Sequence, residues 1–167
     1  MTPAPPELAS VAAEFPGAVH PAGDLRGEPA FVAEREAAHA FLSRLKEHPS
    51  LRFDFLPVLT AVDNHLDEPR FEVVYVVRSL TLNLDARINV PVPGEEPRLA
   101  TVTDLWPAAN WMESEVYDMF GIRFDGHPGL QRILMWEGFE GWPLRKDYPL
   151  LGNTPGTPGY AGKGDKR

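Results

Sequence analysis

The chain has 167 residues, 43% of them hydrophobic and 24% charged, which is enough for a single domain with a full apolar core. Its formal net charge of −8 argues against nucleic acid and anionic membrane surfaces as partners, since both need clustered Lys and Arg. With no cysteine, the chain itself cannot hold a disulfide, a thiolate zinc site, a Cys-ligated iron–sulfur cluster or a Cys nucleophile.

Residues 1–30 are rich in proline, yet Leu8, Val11, Ala12 and Phe15 keep helical spacing, and a short helix is expected at about 7–15. Brief strands are expected at 17–20 and 29–33. Residues 34–48 are the clearest helix, with Ala38, Phe41, Leu42 and Leu45 on its apolar face and Pro49 ending it. Strands follow at 53–62, with Pro57 marking an edge or bulge, and at 71–77. From 80 to 92, Leu80, Leu82, Leu84, Ala86, Ile88, Val90 and Val92 alternate with mostly polar residues, the pattern of a half-buried antiparallel strand. A short strand at 98–102 precedes a helix that Thr103 or Asp104 is expected to cap. The fold implied is a two-layer α+β domain, its helices on one face of a mixed, mostly antiparallel sheet. It is expected to span residues 1–151. Residues 152–167 hold five glycines and two prolines and no aliphatic side chain beyond Ala161, the composition of a disordered tail or of an extended arm that becomes ordered on a partner. No apolar run approaches the roughly 18 residues of a membrane span. The N-terminus lacks a basic-then-apolar signal pattern, so a soluble, cytoplasmic protein is expected.

Chemistry concentrates in residues 111–134. Met112, Val116, Met119 and Phe120 share one helical face, and Glu115 and Asp118, three apart, are expected to lie together on a neighbouring stripe. Gly121 stops the helix, and Gly126-His127-Pro128-Gly129 makes a second turn. That turn brings the chain back so that Arg132 can meet Glu115 and Asp118 and clamp the helix to the following segment. Trp136-Glu137-Gly138-Phe139-Glu140-Gly141-Trp142 has the glycines and rings of a shaped loop presenting aromatic side chains. Arg145-Lys146 beside it forms a cationic spot suited to an acidic or mixed protein surface.

This stretch resembles the signature of the 30 kDa (C-type) subunit family of the proton-pumping NADH:quinone oxidoreductase, respiratory complex I. The matching residues are Glu113, Glu115, Asp118, Gly121-Ile122, Phe124, Gly126-His127-Pro128, Leu130 and Arg132, with Ser114 where the family carries Arg. Pro143-Leu144-Arg145-Lys146-Asp147-Tyr148-Pro149 resembles its second block. The resemblance implies a scaffold subunit of the peripheral arm, on the cytoplasmic side of the inner membrane and bound to it only through the assembly. Its partners would be the D subunit, which helps form the quinone site, and the cluster-bearing subunits. FMN and iron–sulfur clusters would reside in those partners, with no cofactor, metal or catalytic residue in this chain. The resemblance makes Glu113, Glu115, Asp118, Gly121, Phe124, Gly126, His127, Pro128 and Arg132, with Trp136, Trp142, Arg145, Lys146, Asp147 and Tyr148, structural or interface residues. A related alternative is the equivalent subunit of a membrane-bound hydrogenase.

Other chemistry fits less well. Glu115, Asp118 and His127 offer metal-ligand types for an independent enzyme, but no Glu-x-x-His or His-x-x-x-His spacing orients them, and Arg123 and Arg132 are equally near in sequence. A salt-bridge network is the commoner use of such groups. Ser43-x-x-Lys46 lies on an amphipathic helix without the partner motifs of a nucleophile. Gly159-x-x-Gly162-Lys163-Gly164 lacks both the spacer and the following helix of a phosphate loop.

Overall fold

Ten elements follow one another in the computed structural model, which describes residues 5–25 and 27–149. They are α1 (Pro6–Ala13), β1 (Val19–Leu25), β2 (Glu28–Ala33), α2 (Arg35–Glu47), β3 (Phe55–Asp63), β4 (Phe71–Ser79), β5 (Leu84–Val92), β6 (Arg98–Ala100), α3 (Ala109–Phe120) and β7 (Arg123–Asp125). The expected 152–167 arm lies outside the described residues.

Alternation of apolar and polar residues builds one five-stranded sheet, ordered β1-β2-β5-β4-β3. β3, β4 and β5 form an antiparallel meander, β1 and β2 a hairpin, and β2 joins β5 in parallel. The sheet is therefore mixed and mostly antiparallel, and the α+β class expected from the sequence is the one observed. Cross-strand pairs such as Val73–Val90, Tyr75–Ile88 and Val77–Ala86 lie on the buried face. On the other face, Val58 and Val62 of the edge strand β3 are exposed.

Helix α2 buries Ala38, Phe41, Leu42 and Leu45, and Phe41 meets Phe15 and Phe31 edge-on at 5.6 Å. At about 1.5–3 kcal/mol per large apolar side chain, this face anchors the helix, and Phe41→Ala would remove about 3–5 kcal/mol. Helix α3 packs against β3, burying Ala109, Val116, Met119 and Phe120.

Four expectations need correction. The run at 80–92 is not one strand: Ser79 pairs with Leu84, so the chain must reverse between them, and Leu80 and Leu82 are exposed in the turn. The alternation passes through that turn without revealing it, while Asn83 at φ +48 and the bond from Leu82 N–H to Ser79 Oγ make the reversal. The strand expected at 17–20 runs over Val19–Leu25, with a bulge between Pro21 and Gly23. Neither Thr103 nor Asp104 caps α3, which starts at Ala109 without a side-chain cap. Asp104 instead binds His39 at 2.9 Å, and Thr103 meets Thr101 at 3.0 Å. Finally, β6 is completed by a strand that was not expected, β7, paired with it in parallel.

Candidate functional site

After α3 and β7 the chain runs from Gly126 to Pro149 without helix or strand, a strap laid along α3. The junction depends on Gly121, whose φ of +74 suits a residue without Cβ and whose N–H bonds Tyr117 O at 2.8 Å. A Cβ there would lie 2.5 Å from the Trp142 ring. At the strap's start, His127 accepts from Gly129 N–H on Nδ1 at 3.0 Å, which places its proton on Nε2, donated to Asn110 O at 3.1 Å. The imidazole thus ties the turn to the first turn of α3.

Asp118, fully buried, holds the middle of the strap. Its Oδ2 accepts three consecutive backbone N–H groups, from Ile133, Leu134 and Met135, at 3.0, 2.7 and 2.9 Å. Its Oδ1 accepts from Arg132 at 2.9 Å. Burial pushes this carboxyl up, but the three N–H groups and the guanidinium outweigh burial and hold it below its ordinary value. Arg132 continues to Gly141 O at 2.9 Å and lies 4.3 Å over the Trp142 ring.

The end of the strap caps the helix. Leu144 N–H reaches Met119 O at 3.1 Å, and Arg145 Nε reaches Phe120 O at 2.6 Å, so carbonyls that the last turn leaves open are satisfied. The Arg145 guanidinium also lies over Phe71 and Trp142. A second buried carboxylate, Asp63 at the end of β3, accepts from Arg70 at 2.8 Å, Lys146 N–H at 2.7 Å and His65 N–H at 2.8 Å. The Arg70 guanidinium holds it far below the usual carboxylate range, against burial. Arg70 then bridges to Asp147 at 2.8 Å.

Glu113 is built differently. It is fully buried and receives only Thr101 Oγ1 at 2.6 Å and Val102 N–H at 2.7 Å, with no cation among the described residues in salt-bridge contact. Burial pushes its carboxyl up to about 7, against the pull of those two hydrogen bonds, and Asp104 adds to the rise while His39 opposes it. It bonds the loop after β6 to α3. Tyr75 is fully buried nearby, and its hydroxyl is raised well above its ordinary value by burial and by Glu113.

The sequence-predicted residues divide. Arg132 meets Asp118 but not Glu115, because the boundary of burial falls between the two acids and leaves Glu115 exposed. Glu115, Asp118 and His127 are not gathered, and no group of three metal-ligating side chains exists among the described residues. Both His127 nitrogens and both Asp118 oxygens already have partners within the chain. Phe124 is buried, whereas Gly126 and Pro128 are exposed. Ser114 is 2% exposed. Of the loop's rings, Trp142 turns inward against Tyr117 at 5.2 Å, while Trp136 is 51% exposed. Phe139 meets Trp136 edge-on and stacks on Tyr148, which lies against Gly141. The expected cationic spot loses its arginine, since Arg145 points inward; only Lys146 is exposed.

Sequence reasoning missed Asp63 and Arg70, whose strap partners lie about eighty positions onward and carry no local signal. It also left open whether Trp111, exposed on α3, is core or interface, and it gave Leu134 no role. The arrangement is a set of backbone and side-chain anchors along the strap. It fixes the shape of an irregular surface.

A family model for the respiratory-chain NADH dehydrogenase 30 kDa subunit matches residues 31–154. The chain is 49% identical to the NADH-quinone oxidoreductase C subunit numbered 2 of Rhizobium meliloti, over 89% of this chain and 81% of that one. It is 43% identical to the C subunit of the same enzyme from a Roseiflexus species, over 86% and 82%. Among solved structures, a trypsin-resistant fragment of Nqo5 matches at 36% identity with a TM-score of 0.60, over 75% of this chain and 97% of that one. A chain of a membrane-bound sulfane sulfur reductase, an archaeal respiratory membrane complex, matches at 25% identity with a TM-score of 0.71, over 87% and 85%.

Proposed function

Because the chain belongs to the family of the respiratory-chain NADH dehydrogenase 30 kDa subunit, we propose that it is a scaffold subunit of the peripheral arm of a proton-pumping NADH:quinone oxidoreductase. In this reading it grips the D subunit that helps form the quinone site, on the cytoplasmic side of the membrane. Electrons pass from NADH through FMN and iron–sulfur clusters held by partner subunits, and this chain supplies shape. The absence of cysteine supports that division, because such clusters are held by thiolates. No helix of the described residues is long and apolar enough to cross a membrane, so attachment through partners fits the reading.

The observation that carries the proposal is the latch at Asp118. A buried carboxylate with four donors fixes an irregular strap on α3 while Trp136 and Trp111 stay exposed. Such a rigid aromatic surface suits docking, since less side-chain freedom is lost when a partner covers it. The test is to measure assembled complex on native gels beside quinone reduction per assembled complex. Asp118→Ala or Arg132→Ala should lower the first and leave the second near normal. Full assembly with more than about a tenfold rate loss, roughly 1.4 kcal/mol in the barrier, would refute the scaffold role.

A second reading has one observation behind it. The same fold occurs in the archaeal sulfane sulfur reductase complex, so this chain would serve a related membrane complex with another electron donor or acceptor. The higher identity to quinone-oxidoreductase subunits favours the first reading. Identifying the chains that co-purify from native membranes separates the two.

A further inference from the structure

The segment from Leu130 to Pro149 carries charges of both signs in sequence, and the fold sorts them, apart from Lys146, which stays exposed, and Asp147, which pairs with Arg70. Its arginines point inward: Arg132 to Asp118 and the Trp142 ring, Arg145 to Phe120 O and the Phe71 ring. Its glutamates, Glu137 and Glu140, point outward, as does Glu115 on α3, and none of the three makes an ion pair among the described residues. The apolar groups divide as well. Trp142 is half-buried against Tyr117, whereas Trp111, Leu134 and Trp136 are 68%, 57% and 51% exposed. Trp136 is not a loose side chain, since Phe139 holds it edge-on at 4.7 Å and Asp118 fixes the backbone just before it.

From this sorting we infer that α3 and the strap form one docking surface, with Trp111, Leu134 and Trp136 as its apolar part and Glu115, Glu137 and Glu140 as its acidic rim. It seats on a partner polypeptide that offers an apolar recess edged by lysine and arginine. The inference rests on the scaffold reading and adds the chemistry of the gripped partner. Reading Arg145-Lys146 as a cationic spot leads to an acidic or mixed partner; with Arg145 half-buried and turned onto Phe120 O, Lys146 alone is left against the exposed Glu115, Glu137 and Glu140. Three unpaired carboxylates around exposed tryptophans repel an acidic surface and steer a basic one. The chain's net charge of −8 acts in the same direction at long range.

The test uses the full chain expressed in its native cells and follows the fraction that migrates with the membrane-associated complex on native gels. Glu137→Lys with Glu140→Lys should reduce that fraction at least fivefold, and Trp136→Ala should reduce it similarly. Glu47→Lys with Asp67→Lys makes the same change of net charge at exposed positions on α2 and the β3–β4 connection. That control should stay within twofold of the parent. Melting of each isolated variant, followed by circular dichroism, should match the parent within a few degrees, so that loss of incorporation reports docking. Normal incorporation of the rim reversal, or equal loss in the control, overturns the acidic-rim surface and leaves the scaffold reading standing. An isolated parent chain that dimerises, with Trp136→Ala restoring the monomer, assigns the patch to a second copy and overturns the inference. A parent chain found in no membrane-associated assembly removes the scaffold reading and this inference together.

Discussion

The sheet with its helices and the strap are held by opposite means. Between β1 and β5 the fold rests on many overlapping apolar contacts and on strand ladders, so its support is shared among many side chains. From Gly126 to Pro149 there is no ladder, and the backbone is fixed at a few polar points: His127, Asp118, Arg145 and Asp63. The difference teaches where damage stays local. An apolar deletion in the core weakens everything by a fraction, whereas one carboxylate lost under the strap frees a whole surface while the sheet stands.

The sharpest way to break this contrast is Asp118→Ala. Removing it takes the carboxylate partner from Arg132 and leaves three backbone N–H groups without their acceptor, a loss of about 3–5 kcal/mol. Hydrogen exchange should rise across 130–149 while amides of β4 and β5 stay protected. Uniform exposure of both regions would show that they unfold as one unit.

The pH dependence of Glu113 tests whether a polar point inside the core behaves like those under the strap. Its carboxyl sits at about 7 in the folded chain against an ordinary 4.5, so the folded state binds the proton more tightly than the unfolded state. Stability from this group is full below about pH 4.5, declines as pH rises, and is gone above about 7, a total on the order of 3 kcal/mol. Asp118 and Asp63 have the opposite sign: their stabilisation is present above the ordinary carboxylate range and lost as pH falls. Urea unfolding at pH 5 and pH 8 should therefore show Glu113→Gln gaining on the parent at the higher pH. Parallel curves would mean that Glu113 is ionised throughout.

A smaller effect is expected at the seam between the regions. Gly121→Ala places a Cβ 2.5 Å from Trp142 at a positive φ, which should cost roughly 1–3 kcal/mol. Part of that cost should disappear in a Trp142→Ala background, read as a non-zero coupling energy in a double-mutant cycle. Least of all, Glu115→Ala should change the stability of the isolated chain by no more than about 0.5 kcal/mol, because that side chain is exposed. A larger loss would restore Glu115 to the latch.

The sheet was legible because its residues signal over short range. The period of two in β4 and the helical face of α2 depend only on neighbours, and both elements stand near their expected places. The turn after Ser79 was hidden because Leu80 and Leu82 continue the alternation while the backbone reverses. In the site, Gly121 and the pairing of Arg132 with Asp118 could be anticipated from a glycine stop and a nearby cation. Which acid would be buried could not, since Glu115 and Asp118 differ by less than a turn of helix and only the packed strap decides between them. Asp63 was illegible for another reason: its partners Lys146 and Asp147 come from the far end of the chain, and no spacing rule connects residues so distant.

The parallel pairing of β2 with β5 has a consequence for synthesis of the chain. Ala30 sits opposite Arg87, so β2 leaves the ribosome long before the strand that completes it exists. At about 5–20 residues per second, the wait lasts on the order of seconds. During that time one rim of the β1–β2 hairpin has open backbone donors and acceptors, and Phe31 lacks much of its eventual cover. Helix α2, next to emerge and carrying Phe41 toward Phe31, can shield it during that wait.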